Sequence, residues 1–221
     1  MEIVTNQLML TGEVMETPAF DHEVFGEAFF HTTLNVPRLS GAYDQLPLTI
    51  SERLMADSFH PGDTVAVSGQ LRSYNKVLGG QGRLLLTAFA QRLRPVDAEE
   101  NPNTVFLTGA LCKPPSFRTT PFGREIADLM LAVNRSYGKS DYIPCIAWGR
   151  TARFASGLSV GDRIQLQGRF QSRAYQKQLA DGTVQERTAY EVSVSRLTLE
   201  NAAMGEREAA PRPRYTTGVI Q

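Results

Sequence analysis

The 221-residue chain is 42% hydrophobic with 18 Gly and 12 Pro, a globular composition with room for about two domains of ordinary size, which excludes disordered and fibrous classes. Its 23 Lys+Arg and 23 Asp+Glu cancel, but unevenly. Residues 1–96 hold seven basic against ten acidic side chains, net −3, whereas residues 102–199 hold thirteen against seven, net +6; a polyanion would therefore be drawn to the second half.

In chain order, the N-terminal MEIVTNQLML lacks the basic-then-apolar order of a signal peptide, and no later stretch has the ~18 apolar residues of a spanning helix, so a cytoplasmic protein with no membrane partner is expected. Ser51–Ser58 is expected as a brief helix before the Gly62-Asp63 turn, and Val65–Gly69 as a short strand closing on glycine. Val96–Pro102, acidic and Pro-containing, reads as a linker. Beyond it, Val105–Leu111 and Ala189–Leu199 alternate as strands, Ile164–Gly168 is a short strand, and Thr151–Leu158 is the second expected helix. From Asn201 the alternation stops and a mobile tail is expected.

The halves repeat each other. Asn6–Gly12 matches Asn103–Gly109 at an offset of 97, and the same offset pairs Thr33–Arg38 with Met130–Arg135, Asp44 with Asp141 and Pro47 with Pro144. After two inserted residues, Gly69-Gln70-Leu71 aligns with Gly168-Arg169-Phe170. The expected division is 1–96, a linker at 97–102, 103–200 and a tail at 201–221. About five strands and one short helix per copy suit an all-β chain of two tandem five-stranded Greek-key barrels of the OB-fold type, although an SH3-like barrel gives a similar pattern.

The second copy interleaves aromatics with cations, the mixture that holds a single strand by base stacking and phosphate contact. Arg135, Tyr137 and Lys139 share one expected hairpin; Tyr142 and Trp148, six residues apart, fall on one strand face before Arg150; and Arg169, Arg173, Tyr175 and Lys177 fall on one face of another strand. The competing reading buries these rings; a barrel can take in one indole with its N–H paired, so Trp148 stays open between the two. Phe106, Phe117, Phe154 and Phe170 are expected to point inward. Arg72, Tyr74 and Lys76 are weaker candidates in the first copy.

Catalysis has little to stand on. All three histidines, His22, His31 and His60, lie in the first copy with no nucleophile set, and no phosphate-binding GxxxxGK[ST] loop is present. Cys112 and Cys145 lack metal-site spacing, so free thiols and neither metal nor cofactor are expected.

The second copy resembles the bacterial single-stranded DNA-binding protein family through an ordered series: Asn103–Gly109, Phe117–Gly123, Leu131–Arg135, Asp141–Cys145, Gly161-Asp162, Gly168–Arg173 and Tyr190-Glu191-Val192. The resemblance implies an OB-fold that binds single-stranded DNA regardless of sequence in replication, recombination and repair, at the nucleoid and without catalysis. It places Tyr137, Tyr142, Trp148 and Tyr175 at base-stacking positions, and Arg135, Arg150, Arg169 and Arg173 on or beside phosphate-contacting strands. It also implies a homodimer with four OB-folds, and replication or repair proteins as partners. The first copy departs from the pattern, with Gln45 and Ser51 where the second has Tyr142 and Trp148, so weaker binding or an assembly role is expected there. The tail ends Arg212-Pro213-Arg214-Tyr215-Thr216-Thr217-Gly218-Val219-Ile220-Gln221, without the family's acidic, hydrophobic-tipped end, which puts tail-mediated recruitment in question. A protein-interaction role, as an accessory factor of a primosome or recombination complex, is the alternative function.

Overall fold

The computed structural model describes residues 5–55, 59–78, 81–96, 103–178 and 182–200, with the side chains of residues 76–78, 81 and 137 outside the description. The first copy forms β1 (Asn6–Val14), β2 (Ala19–Val24), β3 (Glu27–Pro37), β4 (Tyr43–Ser51), β5 (Thr64–Leu78) and β6 (Gln81–Pro95). The second repeats them as β7 (Asn103–Leu111), β8 (Ser116–Thr119), β9 (Glu125–Asn134), β10 (Ser140–Trp148), β11 (Arg163–Gln178) and β12 (Val184–Leu199).

Period-two alternation builds these strands. Leu8 and Leu10 on β1, Leu34 and Val36 on β3, and Leu131 and Val133 on β9 all turn inward to two sets of strands that close on themselves. In each copy, antiparallel pairing runs through the chain of strands and one parallel contact shuts it: Leu48 beside Ala88 for β4 and β6, Cys145 beside Val192 for β10 and β12. Further contacts of β1 with β3 and of β7 with β9 complete two five-stranded barrels. The sixth strand of each copy, β2 or β8, is an edge strand exposed along its whole length. It buries nothing, so it leaves no alternation in the sequence.

The barrels share a seam. β1 and β7 run antiparallel, with Asn6 opposite Leu107, Leu8 opposite Val105 and Leu10 opposite Asn103. Leu8 and Val105 are equivalent residues of the repeat, so a local two-fold axis passes through that pair and one twelve-stranded sheet spans the chain. Each copy also has a bulge, between Ser68 and Gly69 and between Gln167 and Gly168. A Cβ on either glycine would collide with the carbonyl oxygen of Phe89 or Ser193, which makes both positions strictly glycine. Past each bulge an asparagine side chain takes the place of a neighbouring strand's backbone. Asn6 donates to the Leu71 carbonyl at 2.7 Å and accepts from its N–H at 2.9 Å; Asn103 does the same for Phe170 at 2.8 and 2.9 Å.

Helix α1 (Gly149–Ser156) buries Ala152 and Ala155 and packs on β9 and β10. It begins two residues before the expected span. The expected first-copy helix is instead a single 3-10 turn, Glu52–Leu54, capped by the Ser51 hydroxyl, which accepts from the Arg53 N–H at 3.3 Å; the last residues of that expectation, 56–58, lie outside the described residues. Three of the four phenylalanines assigned inward also differ. Phe170 is buried, but Phe106, Phe117 and Phe154 are 40%, 43% and 49% exposed. Phe106 stands between inward Val105 and Leu107, so alternation turns it out; Phe117 lies on the edge strand; and α1 turns its alanines, not Phe154, to the core.

Candidate nucleic-acid interface

Two buried carboxylates, Asp44 and Asp141, tie the copies together and set the arginines around the seam. Asp141 on β10 receives Arg135 Nε at 2.7 Å from its own copy, and Arg72 Nη1 at 3.0 Å and the Ser73 N–H at 2.6 Å from β5 of the other copy. Asp44 on β4 mirrors it, with Arg38 Nε at 2.8 Å, Arg169 Nη2 at 3.4 Å and the Ser172 N–H at 2.8 Å. Arg38 and Arg135 also donate across the seam to the carbonyls of Ser172 and Ser73, at 2.9 and 3.0 Å. Each clasp sets two guanidiniums against one carboxylate and so keeps one net positive charge. Burial alone would raise the Asp141 carboxyl, but bonds from Arg135, the Ser73 N–H and Arg72 outweigh it and hold the group below the usual range.

Around the second clasp, the outer face of β10, β11 and β12 carries the rings. Tyr142, Trp148 and Tyr175 are 46%, 36% and 37% exposed. β10 pairs with β9 without a register break, so Tyr142 and Trp148 share one face. The Trp148 indole N–H donates to Ser193 Oγ at 3.1 Å, and Ser193 lies opposite Arg169 on β11. Arg173 sits over the Tyr175 ring at 6.0 Å and pairs with buried Glu191 at 3.1 Å, a contact that raises its already high pKa further. This face is a broad surface of rings and cations with the Trp148 edge fixed and its plane available for stacking.

The comparisons with known proteins decide the family. The profile of the Single-strand binding protein family matches residues 102–200. Single-stranded DNA-binding protein B of Bacillus subtilis is 36% identical over 83 residues, 34% of this chain and 74% of that protein. The chain belongs to the single-strand binding protein family. The single-stranded DNA-binding protein of Thermus thermophilus aligns at 26% identity over 246 residues, 98% of this chain and 90% of that protein. A crystal structure of a deletion variant of the single-stranded DNA binding protein from Thermus aquaticus has the same fold, with a TM-score of 0.71 and 23% identity, covering 92% of this chain and 98% of that one. The chain spans about half the length of most curated relatives that it matches.

Within this family member, the sequence candidates separate into three groups. Tyr142, Trp148, Arg169, Arg173, Tyr175 and Lys177 lie on one face, since β11 runs without a break from Arg169 to Lys177. Lys139, Arg150 and Lys177 are exposed and carry no ion pair among the described residues. Arg135 and Arg169, expected at phosphate contacts, and Arg72, a weaker candidate of the first copy, are paired with the clasp carboxylates; Arg135 meets Asp141 of its own copy, whereas Arg72 and Arg169 each meet the buried acid of the other, a pairing that the sequence does not show. Tyr137 lies in a 3-10 turn, Ser136–Gly138, and its side chain, like that of Lys76, is outside the description.

The first copy has rings that the repeat alignment missed. Phe29 and Phe89 approach at 5.8 Å, His22 stacks on Phe29 at 5.0 Å, and Arg72 lies over Phe89 at 5.8 Å. Phe89 pairs with Thr49 as Ser193 pairs with Ile146, so it occupies the place of the serine that holds the Trp148 indole. The offset at this pair is 104, because the β11–β12 hairpin is five residues longer than the β5–β6 hairpin, so neither the 97-residue offset nor the bulge glycines bring the two together in sequence.

Proposed function

We propose that the chain binds single-stranded DNA without sequence preference, chiefly along the outer face of β10–β12, and thereby protects exposed strands during replication, recombination and repair. One observation carries this reading. Tyr142, Trp148 and Tyr175 stand solvent-accessible on a single sheet face among Arg173, Lys177 and the clasp arginines, in the copy whose net charge is positive. Stacking on rings tolerates any base, and cations along the face follow the phosphates. The reading needs no catalysis and no cofactor. Residues 1–96 and 103–200 act as the two domains, joined by 97–102 and followed by a tail at 201–221.

A partner protein is the second reading for one element. The β2–β3 hairpin exposes Phe20, Val24 and Phe25 among Asp21 and Glu23, a field that repels phosphate and suits a replication or repair protein with basic and apolar contacts. Tyr142→Ala with Trp148→Ala tests the DNA reading. Each stacked ring contributes about 1–3 kcal/mol, so the double variant is expected to bind oligo-dT at least ~30-fold more weakly at constant salt, with its thermal midpoint within a few degrees of the parent's. Unchanged affinity would move the contact surface elsewhere.

A further inference from the structure

We infer that the two open ends of the sheet are partners for each other between molecules: the acidic β2–β3 hairpin of one chain docks on the basic β8–β9 hairpin of the next. The contact goes beyond DNA binding and gives the exposed β2–β3 hairpin a second copy of this chain as its partner.

The repeat sets the two hairpins in correspondence. Residues 16–27 match residues 113–124 at the offset of 97, so Phe20 corresponds to Phe117, Phe25 to Phe122 and Gly26 to Gly123. The rings are kept while the charges are reversed. Glu16, Asp21 and Glu27 stand where the second copy has Lys113, Arg118 and Arg124. With Glu23, the first segment holds four acidic side chains and no Lys or Arg, net −4 with His22 neutral; the second holds three basic and no acidic ones, net +3. Packing of the barrels does not demand this, since β2 and β8 are exposed along their whole length.

Both hairpins also end in exposed rings. Phe25 and Gly26 form the two-residue turn between β2 and β3, with φ of +51° and +78°, a left-handed pair that hairpins usually give to Asn-Gly. A phenylalanine there strains the backbone, and its ring is fully exposed, so no packing within the described chain offsets that cost. Phe122, in the β8–β9 turn, is almost wholly exposed, and Phe20 and Phe117 add an exposed ring on each strand. Among the described residues β2 pairs only with β3 and β8 only with β9. Each therefore keeps a free backbone edge, which is a template for a further strand.

Charge selects which edges meet. Pairing β2 with β2 would set acids against acids, and pairing β8 with β8 would set cations against cations; only the mixed contact is attractive. Lys113 and Arg124 carry no ion pair among the described residues and are available to the acids of a neighbouring β2–β3 hairpin. Arg118 is shared with Asp128 at 3.0 Å yet remains half-exposed. A contact between unlike surfaces does not close on itself as a two-fold contact would, so it can repeat from one molecule to the next. The strands are only six and four residues long, an edge too short for a stable dimer. The contact is accordingly weak in dilute solution and forms where molecules are held side by side, as along one long single strand.

Asp21→Arg with Glu23→Lys makes both hairpins basic, and Arg118→Asp with Arg124→Glu makes both acidic. Mass is followed by light scattering over a concentration series at low salt, without DNA. The parent should grow heavier as concentration rises and lose that growth at high salt. Each variant alone should associate at least about tenfold more weakly, whereas an equimolar mixture of the two should recover the parent's association. Phe25→Asn, which relieves the turn, should also weaken association about tenfold while its thermal midpoint stays at or above the parent's. A parent whose mass does not change with concentration, or a mixture no heavier than its components, would overturn the contact and leave the β2–β3 hairpin to a foreign protein. Titration of the parent with short oligo-dT is a separate arm: absence of binding there overturns the DNA reading and not this contact.

Discussion

Asp141 shows how one side chain serves structure and function together. Its carboxylate is fully buried with both oxygens bonded, and it joins β10 of one barrel to β5 of the other. Asp141→Asn leaves Arg72 and Arg135 near the seam without their counter-charge, and is expected to destabilise the protein by about 3 kcal/mol, read as a lowered denaturation midpoint. The pH dependence follows from the direction of the shift. A carboxylate held below the ~3.9 of the unfolded chain contributes its full stability above that value and loses it as pH falls through the lower folded value. The parent should therefore lose stability in acid more steeply than Asp141→Asn, and parallel acid melts of the two would contradict the clasp. The repeat made Asp44 and Asp141 visible as an equivalent pair, but not their role, because partners 68 and 69 residues away in sequence come together only through the seam.

At the scale of elements, strand period carried most of the reading. Alternation located β7, the start of β11 and the inner face of β12, and it put Tyr142 and Trp148 on one side of β10. It failed where burial is absent, in the edge strands β2 and β8, and where one turn of chain sufficed, at Glu52–Leu54. It was also set aside at Phe106, whose neighbours already claimed the inward positions. That outward ring now matters. With Gln165, Gln167, Arg196 and Thr198 it borders a shallow hollow of about 300 Å³ on the face beside the seam. We propose this face as the contact through which two chains form a homodimer with four barrels. Phe106→Arg would set a second like charge beside Arg196 in such a contact, so the variant is expected to run as a monomer in size-exclusion chromatography with light scattering while the parent runs as a dimer. Equal masses for the two would contradict that use of β7.

The whole molecule behaves as a pair of barrels folded into one chain about a local two-fold, with arginines drawn to the seam from both sides. Repeat, charge asymmetry and ring spacing were all legible in the sequence, and the family resemblance rested on the ordered series of short motifs between Asn103 and Val192. The junction was not, since it is made of contacts between residues that no period relates. The most direct measurement uses the single tryptophan of the chain, Trp148. Its fluorescence is titrated with oligo-dT and with a duplex of equal length at two salt concentrations. Strong quenching by the single strand alone, with affinity falling as salt rises, is the expected result for a ring stacked in a cationic face. No quenching, together with no binding in an independent assay, would contradict single-stranded DNA binding by this chain.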